Sequence, residues 1–187
     1  MAHPSDPAFL VLHALRLKEQ AGDELVVRRD GRISGWSLTP AGRARHAELV
    51  RDELQAAGAR DDVQSAYDRF LHINNDMLAV CTAWQLRDVD GVQAINDHAD
   101  AGYDAGVVQQ LVGIHDRVRP VTADLRELMD RFSAYGDRLR AALEKVAAGE
   151  SEWFTKPVID SYHTIWFELH EDLLCTLGIE RSSEGHT

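Results

Sequence analysis

Apolar positions recur at three- and four-residue intervals over most of the chain and change to a strand-like pattern in one place. Phe9, Leu10, Leu12, Leu15 and Leu17 follow Pro7 with helical spacing, which predicts a short helix over 7–20. After Ala21-Gly22 the pattern becomes Leu25–Arg29, then Asp30-Gly31, then Arg32–Leu38. Asp-Gly between β-rich runs is a strong hairpin signal, so two antiparallel strands are expected here. Thr39 supplies a helix N-cap and Pro40 a first helical residue, and the helix they start runs from Ala41 to about Ala57, where Gly58 ends it.

From 61 to 85, Val63, Tyr67, Phe70, Leu71, Met77, Leu78, Cys81 and Trp84 predict a helix with one buried face. Residues 88–102, rich in Asp, Asn and Gly, read as a long loop. Helical spacing resumes at Val107, Leu111, Ile114 and Val118, stops at Pro120, and restarts from Val121 through Leu125 and Phe132. Gly136 is a bend or break before the pattern runs on to Gly149. A final helix is expected from Pro157 to about Leu177, with Gly178 as its stop and 179–187 as a loose tail. The fold class is therefore mainly α, a helical bundle with one N-terminal β-hairpin, divided as 1–57, 58–178 and the tail 179–187. Its expected core includes Phe70, Leu78, Trp84, Leu111, Leu125, Phe132, Trp166 and Leu169.

Composition narrows the function classes. The 187 residues, 44% hydrophobic and 27% charged, suffice for a core that needs no disulfide or metal to hold it. Cys81 and Cys175 both lie in apolar helical stretches and read as reduced core residues of a cytoplasmic protein. The first twenty residues lack the basic n-region of a secretory leader, and no apolar run is long enough to span a bilayer, so no membrane association is expected. The formal charge of −11 is uneven, with residues 1–50 at +1 and the remainder at −12. An acidic body opposes non-specific nucleic-acid binding, which rests on neutralising phosphates.

The segment LVVRRDGRISGWSLTPAGRARHAELV resembles the wing and following helix of MarR-type winged-helix transcription regulators, and the likeness covers about 35 of the 187 residues. The resemblance implies a reduced winged-helix module over 1–57, with Arg28, Arg29 and Arg32 as its DNA-contacting residues and a homodimer formed through the helix at 40–57, burying Ala44, Ala47 and Leu54. One departure bears on the family's function. Only six residues separate Lys18 from Leu25, too few for the two helices that precede a wing, one of which reads the major groove. The family's mode of reading DNA thus lacks its central element.

Candidate chemistry concentrates in the last helix. Asp160, Tyr162, His163, Trp166, Glu168, His170 and Glu171 set polar groups among large apolar ones. His163 and His170, seven residues apart, share a face at a separation of about 10 Å, too far to share one metal but suited to lining one pocket. Asp160 and His163, three apart, are a candidate ligand pair for a metal, with His115 or His98 as a third ligand. The plainer reading is that these histidines hydrogen-bond locally or face water. Asn74, on or beside the buried stripe of its helix, must find a partner, either a neighbouring helix or a ligand. Asn96, Asp97, His98 and Asp100 read as loop capping, because the glycine and glutamate positions of an EF-hand are missing.

No nucleophile elbow, phosphate-binding glycine loop, dinucleotide fingerprint or Cys-x-x-Cys occurs, which weighs against an enzyme. The expected function is a non-catalytic, regulator-like protein acting through dimerisation and a partner or small ligand. The alternative is a small-molecule- or metal-binding enzyme or sensor whose pocket, inside the bundle, is lined by Asn74, Tyr162, His163, Trp166 and His170. Neither reading identifies a cofactor.

Overall fold

The structure, a computed structural model, describes Ala2 and residues 25–29, 35–89 and 91–180. The helix expected over 7–20, Arg32 and most of the expected tail lie outside the described residues. The described part is mainly α. Two strands, β1 (Val26–Arg29) and β2 (Gly35–Leu38), precede helices α1 (Pro40–Ala57) and α2 (Arg60–Gln85). A second hairpin, β3 (Leu86–Val89) and β4 (Val92–Ile95), leads to α3 (Ala101–Leu128). A short 3-10 turn follows at Asp130–Phe132, then α4 (Tyr135–Ala147), α5 (Glu152–Thr155) and α6 (Tyr162–Leu177). The chain forms two compact units, one of residues 1–64, 126–132 and 168–187, the other of 65–125 and 133–167. Three of the four boundaries between them fall inside α2, α3 and α6, and the fourth lies after Phe132.

In the first unit, β1 and β2 pair antiparallel from Val26 opposite Leu38 to Arg29 opposite Gly35. Val26 and Leu38 are buried together against Leu25 and Leu49. Thr39 caps α1 as its sequence predicts, its hydroxyl accepting from the Gly42 N–H at 3.0 Å, while its own N–H donates to the Leu25 carbonyl at 2.9 Å. Gly42 is required by this junction, because a Cβ there would sit 1.9 Å from the Leu25 oxygen. Helix α1 ends at Gly58, whose φ of +60° places it in the left-handed region that favours glycine. The inward face of α1 is Gly42, His46, Val50, Glu53 and Leu54. Leu54, expected on a dimer face, is therefore buried within its own chain, whereas Ala44 and Ala47 are exposed.

The most unusual feature of this unit is a buried guanidinium. The Arg131 side chain is 1% exposed, and its Nε donates to Glu53 Oε2 at 2.7 Å while Nη1 meets Asp172 Oδ1. Nη2 donates to the Thr176 hydroxyl at 2.5 Å, and the guanidinium lies 4.4 Å over the Phe132 ring. Two carboxylates thus share one cation out of water, a geometry that holds only while all three charges are present.

In the second unit, burial of Tyr67, Phe70, Ile73, Met77, Val80, Cys81 and Trp84 follows the three-and-four rhythm of α2. Leu78 departs from the expected core: it is 53% exposed, since Met77 already faces inward and the next residue lies about 100° round the helix. The loop expected over 88–102 holds most of a second hairpin, which begins at Leu86, with Leu86 opposite Ile95 and Val89 opposite Val92. Gly91, at φ +82°, donates its N–H to Asp88 Oδ1 at 2.8 Å and makes the turn. Helix α3 does not stop at Pro120 but runs through it, because Val118, Val121, Thr122 and Leu125 continue the buried stripe on both sides. Gly136 lies in the first turn of α4, close enough to α3 that an added Cβ would be 3.2 Å from the Thr122 hydroxyl. The last helix starts at Tyr162 and not at Pro157. Residues 157–160 form turns, Val158 has φ +64°, and Ser161 starts the helix by accepting the Thr164 N–H at 3.3 Å.

Candidate functional site

The residues singled out in the sequence fall in both units. Asn74, Tyr162, His163 and Trp166 belong to the second, His170 to the first. Trp166 stacks on Phe70 with ring centroids 4.7 Å apart, and its indole N–H donates to Asn74 Oδ1 at 2.9 Å. Asn74 therefore joins two helices by a hydrogen bond, as one of the two sequence readings expected. Tyr162, fully buried, stacks on Trp166 at 6.3 Å, and its hydroxyl lies 3.3 Å from His115 Nδ1. These side chains pack directly on one another. His170 is buried in the other unit and Asp160 pairs with Arg138 at 3.2 Å. Among the described residues no three His, Cys, Asp or Glu side chains gather in a geometry that holds a metal ion.

Burial sets the titration of this region. It pushes the Cys81 thiol up to about 12 and the Tyr162 hydroxyl well above the ordinary tyrosine range, the latter with help from Cys81. It pushes the His115 imidazole down, against the pull of the Asp116 carboxylate, and lowers His163 by desolvation alone. Both histidines are thus held neutral in the fold and take up protons more readily once unfolded. Their contribution to stability is complete above the ordinary histidine value of 6.5 and is lost as pH falls below it. Urea denaturation between about pH 7.5 and pH 5.5 is expected to show a midpoint that falls toward acid, with a shallower fall in His115→Gln and His163→Gln.

A site that the sequence did not single out lies between α2 and α3. A cleft of about 420 Å³ is lined by Arg69, His72, Ile73, Arg117, Pro120 and Val121. Its apolar part is Ile73, Pro120 and Val121, and two guanidiniums flank it. Arg69 pairs with Asp124 at 2.8 Å, and Arg117 pairs with Asp76 at 2.5 Å and donates to the His72 carbonyl at 3.3 Å. All four charged side chains of these pairs are roughly half exposed. The sequence signal was present in the helical face shared by Arg69, His72 and Ile73, but charged positions on an exposed face are ordinarily read as solvated.

Of the wing arginines, Arg28 and Arg29 lie in β1, with their backbones opposite Trp36 and Gly35, and Arg32 lies outside the described residues. No helix among the described residues is long and apolar enough to cross a membrane. No protein-family model, curated protein or solved structure matches this chain.

Proposed function

We propose that the protein is a regulator-like binding protein that holds a small organic anion in the cleft between α2 and α3. The observation that carries this reading is the pairing of Arg69 and Arg117 with an apolar floor of Ile73, Pro120 and Val121. Concave apolar surface with a few fixed polar groups is the usual form of a small-molecule site. The two guanidiniums give it a sign. Each is held by an exposed carboxylate, and exposed ion pairs contribute only about 0–1 kcal/mol, so a ligand carboxylate exchanges with Asp76 or Asp124 at little loss. The wing-like hairpin and its capped helix support the regulator class, and the exposed Ala44 and Ala47 leave part of α1 open to a second copy.

Benzoate serves as the probe and benzamide, its uncharged isostere, as the control. Benzoate is expected to raise the melting temperature and to give a calorimetric binding signal that weakens about tenfold or more in Arg117→Gln, as for a lost charge-assisted hydrogen bond. Equal responses to benzoate and benzamide, or an unchanged signal in Arg117→Gln, overturn the reading. For nucleic acid, no binding of duplex DNA at low salt removes the wing from the proposal. Binding that weakens and loses salt dependence in Arg28→Ala with Arg32→Ala supports it.

A further inference from the structure

The loop between β4 and α3 holds an imidazole whose tautomer is set by its surroundings. Asn96 is buried, and its amide donates to the Trp84 carbonyl at 3.2 Å and to Asp104 Oδ1 at 2.8 Å, which uses both of its N–H bonds. Its approach to His98 Nδ1 at 3.3 Å therefore supplies no proton. The proton between His98 Nδ1 and Asp104 Oδ2, 3.0 Å apart, belongs to the ring, because the carboxylate accepts. In the neutral imidazole Nε2 is left with the lone pair. The His98 side chain is 40% exposed and that of Asp104 18%, so the ring reaches solvent while its partner is set back.

The backbone holds this arrangement at some cost. His98 has φ +59°, uncommon for a residue other than glycine, and its N–H donates to Asn96 Oδ1 at 3.3 Å. Such strain, of order 1–3 kcal/mol, is retained where the surrounding structure fixes it and is over-represented at functional sites. The ring lies 4.5 Å from Trp84, which packs in turn against Phe154 at 4.6 Å. The neighbouring carboxylates have other work. Asp97 accepts the Ala99 N–H at 3.2 Å, and Asp100 accepts the N–H groups of Gly102 and Tyr103 at 3.0 Å and pairs with Arg87 at 3.7 Å.

We propose that His98 Nε2 is the nucleophile of an acyl-transfer site, with Asp104 as its positioning residue and Trp84 as the buried ring that backs the imidazole. The loop carries Asp97, Asp100 and Asp104 against the single cation of Arg87, so the substrate is an uncharged or cationic ester. The Nε2 lone pair adds to the carbonyl carbon, the ester C–O bond breaks with its electrons on the leaving oxygen, and Asp104 holds the imidazolium charge. Water then adds to the acyl carbon, the C–N bond breaks back to Nε2, and one proton passes to the leaving oxygen. The products are a carboxylic acid and an alcohol or phenol.

The protein contains its own control. His72 is exposed and has Nδ1 2.6 Å from the Asp68 carbonyl, which sets the same tautomer without a carboxylate behind the ring. The test is nitrophenolate release from p-nitrophenyl acetate by the full chain, with diethyl pyrocarbonate labelling of each histidine followed by mass spectrometry. The expected results are a loss of about tenfold or more in His98→Gln and a similar loss in Asp104→Asn that falls on kcat and leaves KM within about twofold. Labelling of the wild type should reach His98 before His72, a comparison that needs no variant to fold. A His98→Gln rate equal to wild type, or His98 labelled no faster than His72, overturns the proposal. Arg69 and Arg117 are untouched by these variants, so the cleft reading stands or falls separately.

Discussion

Arg131→Met is expected to destabilise the protein by about 3–5 kcal/mol, the cost of breaking a buried ion pair by removing one partner. Without the guanidinium, Glu53 and Asp172 remain buried, at 6% and 1% side-chain exposure, and both lose the ion pair with Arg131. Each then keeps its charge in a buried setting with one strong partner fewer, and the Thr176 hydroxyl and the Phe132 face lose their contact with the guanidinium as well. The loss should be visible as a lower urea midpoint at neutral pH and should shrink toward acid, where the carboxylates accept protons more cheaply. The triple variant Glu53→Gln, Arg131→Met, Asp172→Asn separates charge from packing. It is expected to recover most of the loss, since all three charges of the cluster are removed together. A triple variant as unstable as Arg131→Met would show that shape, and not charge balance, sets the role of this cluster.

Trp166→Ala is the second large effect, with an expected loss of about 3–5 kcal/mol, as for other truncations of a large buried aromatic. The indole is 3% exposed, stacks on Phe70 at 4.7 Å and bonds Asn74 at 2.9 Å, so its removal opens a cavity and deprives the amide of its donor together. Trp166→Phe keeps much of the area and drops the hydrogen bond, and should cost roughly 1–2 kcal/mol. Asn74→Ala should cost about as much as Trp166→Phe, and combining the two should add little beyond either, because they delete the same bond. The coupling is read from urea unfolding of the four proteins in the cycle. Full additivity of Asn74→Ala and Trp166→Phe would dissolve the proposed link.

Elements with a local cause were legible in the amino-acid pattern. The Thr39 cap with Pro40 and the Gly58 stop are short-range devices, and the helix they bound lies where the pattern places it; β1 and β2 fall within the two expected strands, while the Asp30-Gly31 turn lies outside the described residues. The second hairpin carries the same Asp-Gly signal at Asp90-Gly91, yet its strands include Arg87, Asp88 and Gln93, and so polar a run reads as loop. Pro120 reads as a stop because its missing N–H is a local fact, whereas the packing of Val121 and Leu125 that carries α3 past it is a tertiary one. The start of α6 was misplaced for the converse reason: Pro157 suits a helix start, but Val158 takes up the left-handed region instead. Of the candidate site, Asn74 was visible as a polar residue on an apolar stripe, but its partner Trp166, 92 residues away, was not. The Arg131 cluster and the His98–Asp104 pair were not, since each depends on residues distant in the chain or on a backbone angle that composition does not encode.

Cys81 turns the burial of the second unit into something that can be timed. Its thiol, buried and pushed up to about 12, offers neither access nor thiolate to a reagent while the surrounding helices are closed. At Cys81, with Cys175 replaced by Ser, a disulfide reagent then reacts only through excursions in which α2 parts from its neighbours, and the labelling rate, divided by that of a free thiol, is the population of the open form. The native chain thus carries an internal gauge of its own breathing, one that reports on motions too rare to alter its average structure.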